Sequence, residues 1–313
     1  MVSAWSISNL VAFILNAVLV NLSNTGIYGP TNAEQSAKYS TVITPAGYAF
    51  SIWGLIYITE GIWAIYQMFP PVSRSKLLSE GVSFWQISMS VFQVLWTIAF
   101  ARDWIIASAV LLLMIWVSLV GLVVSLFRFR TGEVDKSGEK REISLLNYWI
   151  FCVPFGIHLG WVTAAAILNW NIVTVAQAGG PDGAQQQLSV AILSLALVFG
   201  ASLIFTLGNR AVTEPAVPAV AIWAAAAISS QLQNPPQMVV EVFGFSGPLI
   251  FHSLQSVLLG LQYLLAAVFV FGIAKNVLGW TRGRMEAQQR AQPTDRSAAL
   301  EYPHTADSLA NKF

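Results

Sequence analysis

The spacing of the charges constrains this chain most. Stretches of about 20 residues almost free of Lys, Arg, Asp and Glu alternate with short polar connections. About 20 helical residues, at roughly 1.5 Å of rise each, cross a hydrocarbon core of about 30 Å. Composition agrees, since 56% of the residues are apolar, 10% are charged and the mean hydropathy is +0.63. A soluble domain cannot hide that much apolar surface. The expected fold class is all-α, a multi-pass transmembrane helical bundle with about eight spans.

The spans are expected at about Ser3–Leu22, Ala46–Phe69, Val82–Ala101, Trp104–Phe127, Leu145–Val173, Leu188–Leu207, Ala216–Gln231 and Pro248–Ile273. The seventh is short and begins with Pro215 and Pro218, which a first helical turn tolerates. Short loops rich in Lys and Arg stay on the cytoplasmic side. With eight spans one side receives only Lys38 and Arg102, and the other the remaining 14 of the 16 basic residues. An integral membrane protein with both termini on the cytoplasmic, or insertion, side is therefore expected.

The first apolar stretch lacks a positive region before Ile7 and reads as a retained span, not a cleaved signal. Residues 281–313 are polar and read as a disordered C-terminal tail. The single cysteine, Cys152, falls in the fifth span, so no disulfide forms within the chain. Net charge is +1 and the basic loop residues are mixed with acids, which gives no support to nucleic-acid binding.

Titratable side chains inside spans are costly and mark candidate sites. Glu60 falls in the second span, His158 in the fifth and His252 near the start of the eighth. No pair at i, i+3 or i, i+4 suggests a metal site, so neither a metal nor an obligatory cofactor is expected. For Glu60 the plain reading is a carboxylic acid hydrogen-bonded to a neighbouring helix. The twelve tryptophans say more. Trp53, Tyr57 and Glu60 form one stripe of the second span; Gln93, Trp96 and Phe100 one of the third; His158, Trp161, Ala165 and Asn169 one of the fifth. Three such faces are suited to a cavity for a flat, mostly apolar ligand, and equally to helix packing with polar groups bonding across helices.

The segment Pro45-Ala-Gly-Tyr-Ala-Phe50-Ser-Ile-Trp53-Gly-Leu-Ile-Tyr57 resembles the second-helix signature of the tryptophan-rich sensory protein (TspO/MBR) family, whose animal members are the translocator proteins. Gln93-Val-Leu-Trp96-Thr-Ile-Ala-Phe100 and Pro154-Phe-Gly-Ile-His158-Leu-Gly-Trp161, continuing to Asn169, resemble its third- and fifth-helix patterns. The resemblance covers roughly the first five helices and is closest to a longer branch with extra C-terminal helices. It implies a five-helix core over residues 1–175, with about three additional transmembrane helices over 176–280. It also implies a cavity for a porphyrin, haem-like tetrapyrrole or sterol, entered near the Ser23–Thr44 loop, which is long enough for a lid.

Carried across residue by residue, the resemblance puts Trp53, Tyr57, Gln93, Trp96, Trp161, Ala165 and Asn169 around the ligand. His158, where related long members often have Tyr, joins the set as a candidate iron ligand for haem. Gln93 stands where short members have Asn, and Phe50-Ser-Ile-Trp53 lacks their Gly-Pro, which alters the expected pocket shape.

Four functions follow as expectations: a sensor or carrier for a tetrapyrrole or other apolar ligand, a secondary transporter of a small apolar solute, an enzyme acting on the ligand, or a structural subunit. No nucleophile–base pair supports catalysis, so no catalytic residues are assigned. The small-residue run Ala224–Ala227 suits close packing with a second copy or a membrane-complex partner.

Overall fold

The computed structural model describes residues 2–130, 138, 143–177, 182–208 and 213–291, with the backbone alone for 182 and 282–291. Among them the chain is a bundle of helices without strands. In chain order these are α1 (Ala4–Leu22), α2 (Asn32–Lys38), α3 (Ile52–Tyr66), α4 (Trp85–Ala101), α5 (Ile105–Arg130), a short turn α6 (Leu145–Asn147), α7 (Val153–Gln177), α8 (Asp182–Leu207), α9 (Ala216–Gln231), α10 (Gln237–Phe243) and α11 (Gly247–Ala291). Among the described residues six helical stretches are long and apolar enough to cross a membrane, and α4 and α9 are shorter apolar helices. Together they account for the eight expected segments. The chain is a multi-pass helical membrane protein.

Its faces are arranged for an apolar solvent. On α1 the buried residues include Ser6, Asn9 and Asn16, whereas Ile7, Val11, Ile14, Leu15 and Val18 face outward. The α3 surface shows Leu55, Ile58, Ile62 and Ile65 and buries Glu60. Lipid tails are as apolar as these side chains, so polar groups turn inward, where other helices satisfy them. Ser6 Oγ lies 2.9 Å from Ser73 Oγ, and Asn9 Nδ2 donates to Gln67 Oε1 at 3.3 Å.

Prolines and glycines set the local irregularities. Pro154 lacks an N–H for the preceding turn, and the helix entering α7 is wound as a π-helix over Tyr148–Cys152. Further along α7, Gly156 and Gly160 allow the loop before α9, and α9 itself, to approach closely. A Cβ on Gly156 would lie 2.6 Å from Glu214 Oε1, and one on Gly160 2.9 Å from Val220 Cβ. At the same end Arg130 Nη1 donates to Glu214 Oε2 at 3.0 Å, while Nη2 donates to Thr213 O at 2.6 Å and Asn276 Oδ1 at 3.4 Å. The guanidinium also sits 4.6 Å from the Tyr148 ring centroid. This buried cluster ties α5, the α8–α9 connection and α11 together.

Three features depart from the sequence expectations. The Ser23–Thr44 connection contains α2, capped by Thr31 and Glu34 in a reciprocal capping box. A second short helix, α10, precedes α11. Finally, α11 stays helical to Ala291, into the segment read as a disordered tail. Its Arg, Met, Glu, Ala and Gln residues are good helix formers, with no proline before Pro293. Residues 292–313, and most of the basic loop of 131–142, lie outside the described residues.

Candidate functional site

The motif-bearing faces of α3, α4 and α7 converge on one cavity. The cavity is partly open, and it holds about 960 Å³ of empty space only when the open region at its mouth is counted with it. Trp53, Trp96 and Trp161 line it, with Ala165 and Asn169 from the same α7 face. The indoles of Trp53 and Trp161 meet edge to face at 6.4 Å, and Phe50 lies edge-on to Trp161 at 5.9 Å. Trp96 stacks on Phe100 at 5.6 Å with the rings 14° apart. Aromatic edges and faces thus make a stiff apolar wall.

Three of the sequence-derived residues lie elsewhere. Tyr57 and Gln93 do not line the cavity; they belong to a polar triangle closed by Asn16 of α1. Tyr57 Oη donates to Asn16 Oδ1 at 3.1 Å, Gln93 Nε2 donates to Tyr57 Oη at 3.3 Å, and Asn16 Nδ2 donates to Gln93 Oε1 at 3.2 Å. His158 is also outside the lining. Its Nδ1 lies 2.7 Å from Glu60 Oε1, both side chains being buried, and its ring stands edge-on to Trp53 at 5.6 Å. The hydrogen bond of Glu60 to a neighbouring helix is therefore present, with histidine as the partner.

Much of the cavity comes from outside the motifs. From α8 come Leu195, Val198 and Phe199, from α9 Ala221, Ala224 and Ala225, and from α11 Leu261 and Leu265. The last three long helices thus complete the chamber instead of standing beside it. Phe50 and Phe100 were readable, because both lie inside the quoted motifs. Among the α8, α9 and α11 residues, Ala224 and Ala225 belong to the run expected to pack against a partner, but in the structure they are buried and line the cavity; the remaining α8, α9 and α11 residues carry no signal in sequence, since lipid and an apolar cavity select the same side chains.

One rim of the cavity is formed by Asn32 and Ser36 of α2, and α2 is fastened to the α4–α5 corner. Gln35 Nε2 donates to Phe100 O at 2.9 Å and also contacts Asp103 Oδ1; Lys38 Nζ lies 2.6 Å from Asp103 Oδ2, and Tyr39 Oη donates to Oδ1 at 3.0 Å. Asp103 has φ +58, a left-handed conformation that Asp tolerates better than most residues. Nearby, Gly29 has φ +134, and a Cβ there would lie 2.5 Å from Ala101 O, so the loop seats on α4 only with glycine. The Asp103 carboxyl is held below its ordinary range, chiefly by the hydrogen bond from Lys38, and the Lys38 amine is raised, chiefly by the same bond.

A family model described as TSPO-like protein matches residues 6–254. The chain belongs to the TSPO-like family. The match runs past the five helices in which the motifs were recognised and takes in α8, α9, α10 and the start of α11. Of the helices that complete the cavity, α8 and α9 lie wholly inside the TSPO-like region, whereas the α11 cavity residues Leu261 and Leu265 lie beyond it. Neither the curated proteins nor the solved structures provide a match to this chain.

Proposed function

We propose that this TSPO-like membrane protein binds a flat, largely apolar ligand in the aromatic cavity, as a sensor or carrier. The ligand is of the tetrapyrrole or sterol kind that the family resemblance implies. The observation that carries the reading is the convergence of Trp53, Trp96 and Trp161 on one chamber closed by α8, α9 and α11. Large apolar chambers with a few polar groups are the usual form of small-molecule sites. In this reading Trp53, Trp96, Trp161, Ala165 and Asn169 touch the ligand. Tyr57, Gln93 and His158 hold the helices that carry them. The test is a titration of the protein in detergent with protoporphyrin IX and with cholesterol, beside a Trp53→Phe/Trp161→Phe variant. Saturable binding by the wild type, weakened in the variant, supports the reading; no saturable binding of either ligand overturns it for these two classes.

A second reading, secondary transport, draws support from the Glu60–His158 pair, because titratable groups inside a bundle mark ion and proton paths. Uptake into proteoliposomes that depends on a proton gradient and is abolished by Glu60→Gln would favour it over simple binding.

A further inference from the structure

At its end away from α2 the chamber stops where α7 and α9 press together. Trp161 and Ala164 of α7 and Ala221 and Ala224 of α9 line the cavity. One turn earlier on each helix the space is gone. A Cβ on Gly160 would lie 2.9 Å from Val220 Cβ and 3.2 Å from Val217 Cα, and one on Gly156 2.6 Å from Glu214 Oε1 and 3.1 Å from Ala216 Cβ. The order of these contacts shows that the two helices run in the same direction, so the packed seam continues the chamber wall. From Ala221 back to Glu214 is only roughly 10 Å at helical rise.

This seam is held by packing alone. Among the described residues no hydrogen bond joins α7 to α9. The fastenings of α9 lie beyond the seam. Near the α2 rim, Ala46 N donates to Ala227 O at 3.0 Å and Trp223 Nε1 to Ala49 O at 3.2 Å. At the far end Arg130 holds Glu214 and Thr213, which lead into α9, and reaches Asn276 of α11. The α9 unit is in turn tied to α11, through Gln255 Nε2 to Ser229 O at 3.3 Å and Thr213 Oγ1 to Gly272 O at 2.9 Å.

The Arg130 and Glu214 side chains are only 3% and 1% exposed. Desolvation of two ions offsets much of their mutual attraction, and both recover hydration when they part. Parting α9 from α7 at Gly156 and Gly160 breaks no hydrogen bond, and glycines leave no side chains to interlock. We infer that the α7–α9 seam is a second mouth of the chamber, closed in this structure, with Arg130 and Glu214 as its latch and the Ala46–Ala227 contact as its pivot. The inference rests on the binding reading above and deepens it. Binding alone needs one mouth; with two, the protein passes its ligand from the α2 end of the bundle to the other.

The test reads access from each end with the membrane-impermeant thiol reagent 2-sulfonatoethyl methanethiosulfonate, on right-side-out and inside-out vesicles carrying the full chain. Cys152 is the only cysteine, so Cys152→Ser gives a thiol-free background. Into it go Val217→Cys within the seam, Ala221→Cys at its chamber end, and Ala64→Cys in the core of α3, all at buried positions. Asn24→Cys, at an exposed position before α2, identifies the vesicles that present the α2 end. With Glu214→Gln added, far-end labelling of Val217→Cys and Ala221→Cys is expected to rise about tenfold or more, because a charge-assisted bond no longer holds the seam. The Ala64→Cys rate should stay unchanged.

No rise at the two seam positions overturns the inference, and so does an equal rise in Ala64→Cys, which marks general loosening. Protoporphyrin IX or cholesterol should slow labelling of Ala221→Cys. Such protection without far-end opening overturns the inference alone, whereas opening without protection by either ligand overturns the binding reading. If Glu214→Gln does not fold, Arg130→Gln takes its place with the same expectation. If neither folds, the intact latch decides: far-end labelling of Val217→Cys must exceed that of Ala64→Cys by about tenfold, since local opening costs less than global unfolding.

Discussion

Glu60 of α3 and His158 of α7 meet at 2.7 Å with both side chains almost wholly buried, and Trp53 stands edge-on against the imidazole at 5.6 Å. The pair joins two helices of the cavity wall and packs against the Trp53 indole that lines the cavity. Removing one partner leaves the other buried and unsatisfied, which costs about 1–3 kcal/mol. His158→Ala is therefore expected to lower the unfolding midpoint in detergent. Glu60→Gln keeps a hydrogen-bonding side chain and should cost less. Equal melting of wild type and His158→Ala would count against a structural role for the pair.

The Asn16–Tyr57–Gln93 triangle makes the opposite division between stability and binding. Tyr57→Phe removes two of its three hydrogen bonds, at about 1–2 kcal/mol in all. Because Tyr57 lies outside the cavity, the affinity of wild-type and variant protein for a cavity ligand should agree within about twofold. Thermal unfolding and a ligand titration on the same samples check both halves.

Asp103 ties α2, which forms one rim of the cavity, to the α4–α5 corner. Asp103→Asn retains a residue tolerant of the left-handed backbone and removes the charge that holds Lys38, so ligand release should become faster by stopped-flow. The pH dependence follows from the two shifts. A carboxyl lowered on folding contributes fully above its ordinary value of 3.8 and loses that contribution as pH falls through its folded value. An amine raised on folding contributes fully below 10.5 and loses it as pH rises through its folded value. Wild-type release should thus be flat between about pH 5 and pH 9 and accelerate only outside that window. Added salt should speed it modestly, because the pair is partly exposed.

At the opposite end of α5, Gly156→Ala puts a methyl group 2.6 Å from Glu214 Oε1 and pushes the carboxylate away from Arg130. Overpacking of this kind costs about 1–3 kcal/mol. The loss should be smaller in a Glu214→Gln background, where the ion pair is already gone; a double-mutant cycle measures the difference.

The spans were legible because lipid demands long charge-free stretches, and the eight segments emerged from that demand alone. Trp53, Trp96 and Trp161 were legible through their motifs. Tyr57 and Gln93 share stripes with those tryptophans, but helical spacing cannot reveal that Asn16 of another helix closes their hydrogen bonds. The Glu60–His158 contact joins positions 98 apart, and nothing local links them. Helix α2 is absent from the sequence reading, although Thr31-Asn-Ala-Glu34 is a capping-box pattern that signals it. The cavity faces of α8, α9 and α11 were not legible, because apolar residues toward lipid and apolar residues toward a chamber look alike in sequence.

A ligand held between the motif helices and α8, α9 and α11 must lose its place when that chamber is filled. Ala165→Trp and Ala225→Trp place bulk in the chamber from α7 and α9, while Ile62→Trp places the same bulk on an outward face as a control. With folding of each variant checked by thermal unfolding, the two cavity variants are expected to lose saturable ligand binding by at least about tenfold, and Ile62→Trp to bind like the wild type. Unchanged affinity in both folded cavity variants would contradict binding in the chamber.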